Sequence, residues 1–283
     1  MNASFTAACL QLCSAADVGA NIATVRDLSR RARDKGADLI MTPEVSDMME
    51  PSRDAVFAKA QPEGSHAMIA ACRDIAREAG VWFVLGSVVV KIENEPLLAN
   101  RSFLIAPDGA IAARYDKIHM FDVDLPTGES RRESKSYRPG GVAVLADLPW
   151  GKLGMTVCYD LRFPDLYRAL AQAGASFLTI PSAFTVPTGR AHWHVLMRAR
   201  AIENFCFVFA PAQSGEHAGG RKTYGHSLIV APWGEILAEA EDGPGVITAR
   251  IDTAKVMEAR RAVPSLSHDR PFAPPARDPL AAE

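Results

Sequence analysis

Three ionisable residues fall where strands are expected to end or give way to loops. Glu44 follows Thr42-Pro43, Lys117 follows Arg114-Tyr115-Asp116, and Cys158 precedes Tyr159-Asp160. A thiol that attacks a carbonyl needs a base for its proton and a positive charge for the oxyanion. A carboxylate, an ammonium and a sulfur supply those parts in turn. A free thiol has a pKa of about 8.5, so it reacts near neutral pH only with such neighbours. Each residue also has a plainer reading. Glu44 could cap a helix or face water, Lys117 could be a surface lysine, and Cys158 could be a small core residue. Spacing along the chain does not join the three in space.

The elements around them say how they are held. Leu153, Met155 and Val157 alternate with smaller or polar residues, as in a buried strand, and Pro164 opens a helix that Gly174 stops. Cys158 therefore sits at a strand-to-helix handover, the edge where open α/β folds bind ligands. Residues 38–44 read as a short strand that ends at Pro43 and delivers Glu44. Residues 101–106 and 111–115 read as a hairpin across Pro107-Asp108-Gly109. The irregular segment 116–140 that follows holds Lys117, His119, Glu129, Glu133, Lys135 and Arg138. So long an aperiodic stretch inside a compact chain is more often functional than structural.

The remaining pattern alternates strands and helices. Strands are expected at 5–12 and 81–92, and amphipathic helices at 21–35 and 65–79, stopped by Gly36 and Gly80. The second half repeats the theme, with strands at 175–180 and 205–210 around a helix at 190–204, then a polar loop at 215–223. Strands at 227–230, 235–239 and 246–251, a helix at 253–261 and a Pro-rich tail from Pro264 complete it. Two similar strand-rich halves predict an α/β protein with two sheets packed face to face and helices outside. The reading is one domain over 1–283, with a core of about 4–262 and a tail of about 264–283. The 283 residues are 48% hydrophobic and 23% charged, with a net charge of -2, so bulk electrostatics favour neither nucleic acid nor membrane. The first residues resemble a strand and not a signal peptide, and no run approaches a membrane span. Five scattered cysteines without a Cys-x-x-Cys pair fit a reducing, cytoplasmic setting.

Taken together, four motifs resemble the nitrilase, or carbon–nitrogen hydrolase, superfamily. They are Thr42-Pro-Glu44, Tyr115-Asp-Lys-Ile-His-Met-Phe-Asp122, Glu133-Ser-Lys-Ser-Tyr-Arg-Pro-Gly140 and Met155-Thr-Val-Cys-Tyr-Asp-Leu-Arg-Phe-Pro164. The likeness runs in family order from residue 5 to about residue 270. Pro181-Ser-Ala-Phe-Thr185, Thr188-Gly-Arg-Ala-His-Trp193, Leu196-Met-Arg-Ala-Arg-Ala-Ile-Glu-Asn204 and Tyr224-Gly-His-Ser227 are similar to its Nit branch. That branch includes amidases of deaminated glutathione and of α-ketoglutaramate.

The resemblance implies a four-layer αββα sandwich that forms a homo-oligomer, a dimer or tetramer. It implies amide hydrolysis through a Cys158 thioester, with Glu44 as general base and then acid. Lys117 and the backbone N–H of Tyr159 would hold the oxyanion, and Glu133 would orient Lys117. The implied substrate is a small amide bearing carboxylates; deaminated glutathione would yield 2-oxoglutarate and cysteinylglycine. Such a substrate calls for fixed cations. Arg162 is the first candidate, with Arg190, Arg221, Phe184 and Thr185 beside it; the alternative for each arginine is a surface ion pair. No cofactor or metal is expected, because Lys117 polarises the carbonyl.

Rival readings stand beside this one. The same chemistry could act on α-ketoglutaramate, an N-carbamoyl amino acid or a nitrile, or the fold could serve as a non-catalytic scaffold. Cys158 could instead pair with His119 or His226, unless those histidines make structural hydrogen bonds. His192 and His194 stand two apart on a helix and face different ways, a poor chelate. Gly215 to Thr223 lacks the lysine and strand–helix context of a phosphate loop.

Overall fold

The computed structural model describes residues 4–125 and 128–272. Two sheets carry the fold, and they share a plan. In the first, the parallel strands Ser4–Gln11, Leu39–Met41 and Trp82–Lys91 form the centre. Antiparallel strands flank them, Gly245–Asp252 on one side and the Leu98–Ile105/Ile111–Asp116 hairpin on the other. In the second, Gly151–Met155, Ala175–Thr179 and Phe207–Ala210 are the parallel centre. Val144–Leu148 flanks one side, and Leu228–Val230 with Ile236–Glu239 the other.

Strand alternation creates the layers. Phe5, Ala7, Cys9, Met41, Val84 and Leu104 point toward the second sheet and pack with Leu153, Met155, Phe177 and Phe209. The Phe5 ring stacks on Trp150 at 4.2 Å and meets Phe177 edge-on at 5.3 Å. The alternate residues Ala8, Leu10, Phe83, Leu85 and Phe103 face outward onto Val25, Leu28, Met68, Cys72 and Ile75. Those belong to the helices Val18–Asp34 and Ala67–Ala79. Asp17 caps the first, its carboxylate accepting from the Ala20 amide at 2.7 Å, and Gly80 ends the second at φ 64°. Pro164–Gln172 and Val186–Asn204 cover the second sheet through Tyr167, Leu170, Trp193 and Met197. The result is the four-layer αββα sandwich that the sequence predicts.

Some elements differ from expectation. The helix expected at 190 starts at Val186, because Thr185 takes the N-cap position and Pro187 fits the first turn. The polar loop at 215–223 contains a short hairpin, Ser214–Glu216 with Lys222–Tyr224. The irregular segment after 116 forms another, Asp122–Asp124 with Ser130–Arg132, and then the 3-10 turn Glu133–Lys135. The helix Arg53–Lys59 buries no side chain, so no apolar stripe announced it. Part of the Pro-rich tail returns to the second sheet's helices. Arg168 pairs with Asp269 and donates to the Ser265 carbonyl at 2.7 Å. The remainder of that tail, 273–283, lies outside the described residues.

Candidate active site

The carboxyl ends of the central strands of both sheets meet at one crevice. Beyond Met41, the Thr42 amide still donates to the Val84 carbonyl at 3.0 Å. The chain then turns through Pro43 and Glu44 to Val45 at φ 46°. Ser87 pins this turn, its hydroxyl accepting from the Val45 amide at 2.9 Å. Gly86 makes the approach possible: a Cβ there would lie 1.9 Å from the Thr42 carbonyl oxygen and 2.6 Å from Pro181 Cβ. From the other sheet, the Cys158 amide donates to the Pro181 carbonyl at 2.9 Å, and Cys158 takes φ 50° at the start of a 3-10 turn, Cys158–Arg162. A non-glycine residue in that left-handed region is strained, and such strain clusters at functional sites.

Lys117 arrives from the end of the Ile111–Asp116 strand, its amide donating to the Asn100 carbonyl at 3.0 Å. Its Nζ lies 2.8 Å from Glu44 Oε1 and 2.8 Å from Glu133 Oε2. Asn100 Nδ2 donates to Glu44 Oε1 at 2.9 Å and to Glu133 Oε1 at 3.3 Å. The Ala183 amide donates to Glu44 Oε2 at 3.0 Å, and the Phe121 amide to Glu133 Oε2 at 2.7 Å. The Cys158 thiol lies close enough to Glu44 for each group to shift the other's pKa. Structure thus brings Glu44, Lys117, Glu133 and Cys158 together, with Tyr159 next in the chain. Glu44, Lys117 and Cys158 are 5%, 2% and 8% exposed, dry enough for their charges to act strongly on one another.

Asp160 ties the Lys117 and Cys158 segments to each other. Its fully buried carboxylate accepts from Tyr115 Oη at 2.6 Å, the His119 amide at 3.0 Å and the Val157 amide at 2.8 Å. His119 Nδ1 lies 2.7 Å from the same group. His226 Nδ1 is 2.9 Å from Glu239. Both histidines thus make the structural hydrogen bonds expected of them, and the charged groups that act on Cys158 are Glu44 and Lys117.

The ionisation follows from these contacts. Burial opposes the charged form of Glu44, but the Lys117 charge and hydrogen bond outweigh it and hold the carboxyl below its ordinary range. Burial likewise opposes the Lys117 ammonium, yet Glu133 and Glu44 together raise its pKa well above the ordinary value. Burial, then the Glu44 charge, pushes the Cys158 thiol far up, against the pull of Lys117. These directions favour a carboxylate, a protonated thiol and an ammonium side by side at rest.

A cavity of about 340 Å³ opens above this floor, and Arg162, Phe184, Thr185 and Arg221 line it, as expected. Arg190 does not. It is exposed beside a separate depression with Gly215 and Tyr224. The reason is helical geometry: Thr188 turns into the cleft, and a residue two positions on faces away. His192 and His194 divide similarly, His192 Nδ1 lying 3.2 Å from Arg162 and His194 Nε2 lying 2.9 Å from Glu239. Sequence reasoning missed Asn100, Phe121, Tyr137, Thr188, Arg53, Arg131 and Arg132. Phe121, Arg131, Arg132 and Tyr137 lie in the irregular segment already singled out. Asn100 follows Leu98 and Ala99 but precedes Arg101 and Ser102 in Leu98–Ile105, so its local sequence carries no distinct signal.

Strands from two sheets thus deliver a carboxylate, an ammonium and a thiol to one dry crevice. Residues 6–261 match the family described as carbon-nitrogen hydrolase, and the chain belongs to that family. It is 41% identical over 272 residues to the deaminated glutathione amidase of Yersinia enterocolitica, covering 93% of this chain and 92% of that one. It is 41% identical over 265 residues to the human deaminated glutathione amidase, covering 92% and 81% respectively. The C. elegans NitFhit crystal structure superposes with a TM-score of 0.87 at 34% identity. That match covers 95% of this chain but 65% of the C. elegans one, less than two thirds of its length.

Proposed function

We propose that the chain is an amidase that cleaves deaminated glutathione to 2-oxoglutarate and cysteinylglycine. The observation that carries the reading is the Glu44–Lys117 contact of 2.8 Å on the same floor as the Cys158 thiol. As Cys158 Sγ bonds to the amide carbon, its proton passes to Glu44. The electron pair moved onto the carbonyl oxygen is held by Lys117 and the Tyr159 amide. Each such donor is worth roughly 3 kcal/mol. Glu44 then returns the proton to the amide nitrogen, the C–N bond breaks, and the cysteinylglycine amine leaves. A water, deprotonated by Glu44, attacks the thioester and expels sulfur, which recovers its proton. Glu133 keeps Lys117 charged and in place.

Arg221 is the best-placed anchor for a substrate carboxylate. It lines the cleft close enough to lower the Glu44 pKa, and its Nη2 donates to the Ala183 carbonyl at 3.2 Å. Its buried Nε has no hydrogen-bond partner among the described residues. By contrast, Arg132 is already bonded to Asp124 at 2.8 and 2.7 Å. Exposed Val195, Ile202, Trp233 and Met257 supply apolar surface for a homo-oligomer, which light scattering on the purified chain would reveal. Five free cysteines suit a cytoplasmic enzyme. Among the described residues no helix is long and apolar enough to cross a membrane.

The test is an assay of deaminated glutathione beside α-ketoglutaramate, with cysteinylglycine and ammonia measured, and intact mass spectrometry during turnover of a slow ester. Cysteinylglycine release and an acyl adduct on Cys158 are expected. Faster ammonia release from α-ketoglutaramate would replace the substrate, and an adduct elsewhere would overturn the mechanism.

A further inference from the structure

His194, His226 and Glu239 come from three separate elements and meet outside the cleft. His194 lies on the helix Val186–Asn204, His226 just before the strand Leu228–Val230, and Glu239 at the end of Ile236–Glu239. His194 Nε2 and His226 Nδ1 each lie 2.9 Å from the same oxygen, Glu239 Oε1. One atom from each residue lies within 4.8 Å of the others. None of the three lines the cavity over Cys158.

We propose that these residues form a binding site for a divalent ion of the zinc class, which clips the helix to the edge strands of the second sheet. Two imidazoles and one carboxylate are a donor set that such ions accept. Bonds of about 2.0–2.1 Å in a tetrahedron separate the donor atoms by roughly 3.4 Å. Glu239 Oε1 has to withdraw by about half an ångström from each nitrogen, and the two nitrogens, within 4.8 Å of each other, have to settle at about 3.4 Å. Each neutral imidazole moves its proton to its other ring nitrogen, leaving a lone pair on the metal side. Water completes the fourth position.

The frame around the trio is already rigid. Trp193 Nε1 donates to the His226 carbonyl at 2.7 Å, joining the residue before one ligand to the backbone of another. The strand pairing places Leu228 opposite Glu239, and the Ala240 amide donates to the Ser227 carbonyl at 2.9 Å. Helix and strand press together at Gly189, where a Cβ would lie 2.1 Å from the Tyr224 ring. Tyr224 in turn lies 4.5 Å from the His226 ring. Little ordering remains for the ion to impose, the condition for useful affinity at a partly exposed site.

The experiment is titration calorimetry of the metal-stripped full-length chain with Zn²⁺, repeated with Co²⁺ by visible absorption. Cys158→Ala is run in parallel to remove the cleft thiol as a competitor. One equivalent is expected, retained in Cys158→Ala, with cobalt bands of a nitrogen and oxygen site and no thiolate charge-transfer band. His194→Gln and Glu239→Gln, checked for folding by circular dichroism, should each bind at least tenfold more weakly and lose the Zn²⁺-dependent rise in Tm. No saturable binding below about millimolar Zn²⁺, or binding unchanged in both variants, would overturn the proposal.

Discussion

On the floor of the cleft, each charged group is held by another charge or by a main-chain amide. Glu44, Lys117 and Glu133 form one unit, with Asn100 bonding both carboxylates. At the mouth, the arginines arrive one by one on a short helix and a short strand, each with its own partner. Arg53 lies 4.2 Å over Phe57, Arg131 donates to Glu129 at 2.8 Å, and Arg132 binds Asp124. The floor is cooperative and buried, so losing one member strands the others. The mouth is modular and wet, so losing one member removes one contact.

This contrast can be broken experimentally. Lys117→Met should have the largest effect: kcat/KM down on the order of 10³-fold or more, and a clear loss of Tm, because two carboxylates are left near each other without their cation. Full activity, or lost activity with unchanged Tm and an unshifted Glu44, would show that the floor is not one unit.

The pH profile comes next. The proposed mechanism requires Glu44 ionised and Lys117 protonated, and both shifts widen that window. A depressed carboxyl contributes stability above its unfolded pKa of about 4.3, which is lost as pH falls through the folded value. The raised lysine contributes stability below about 10.4, which is lost as pH rises through its higher folded value. The kcat/KM profile should therefore be flat from about pH 5 to pH 9 and fall only in stronger acid or strong alkali. A midpoint near pH 6.5 would instead indicate a histidine base.

Arg221→Gln should act on binding, raising KM for a carboxylate-bearing amide roughly ten- to hundredfold while kcat changes little. A neutral amide should be unaffected, and equal losses on both would move Arg221 to the floor. The smallest effect is reserved for Arg190→Gln. Outside the cleft and exposed, it should alter neither kcat/KM beyond about twofold nor stability beyond about 0.5 kcal/mol.

The same division explains what could be read from the chain. Glu44 and Cys158 follow apolar strands bounded by proline, and a rigid strand end fixes where its next residue goes. Motif order then linked them to Lys117. The mouth left no comparable trace. Arg53 rides a seven-residue helix without an apolar stripe, and Arg190 was misplaced because the helix start was set four residues late. Asn100 lay just ahead of the strand assigned from 101. The pairing of Ser4–Gln11 with Gly245–Asp252 depends on a contact across most of the chain, which no local pattern records.

That pairing sets the order of events at birth. The strand Ser4–Gln11 waits for a partner more than two hundred residues downstream, Ser4 facing Asp252 and Gln11 facing Gly245. Until then, one edge of the first sheet stays open, with the alternating Phe5, Ala7 and Cys9 beside unpaired backbone. Synthesis at about 5–20 residues per second makes that wait many seconds long. A nascent chain stalled before residue 245 would expose a sticky edge, and chaperone capture should fall sharply once Asp252 clears the exit tunnel.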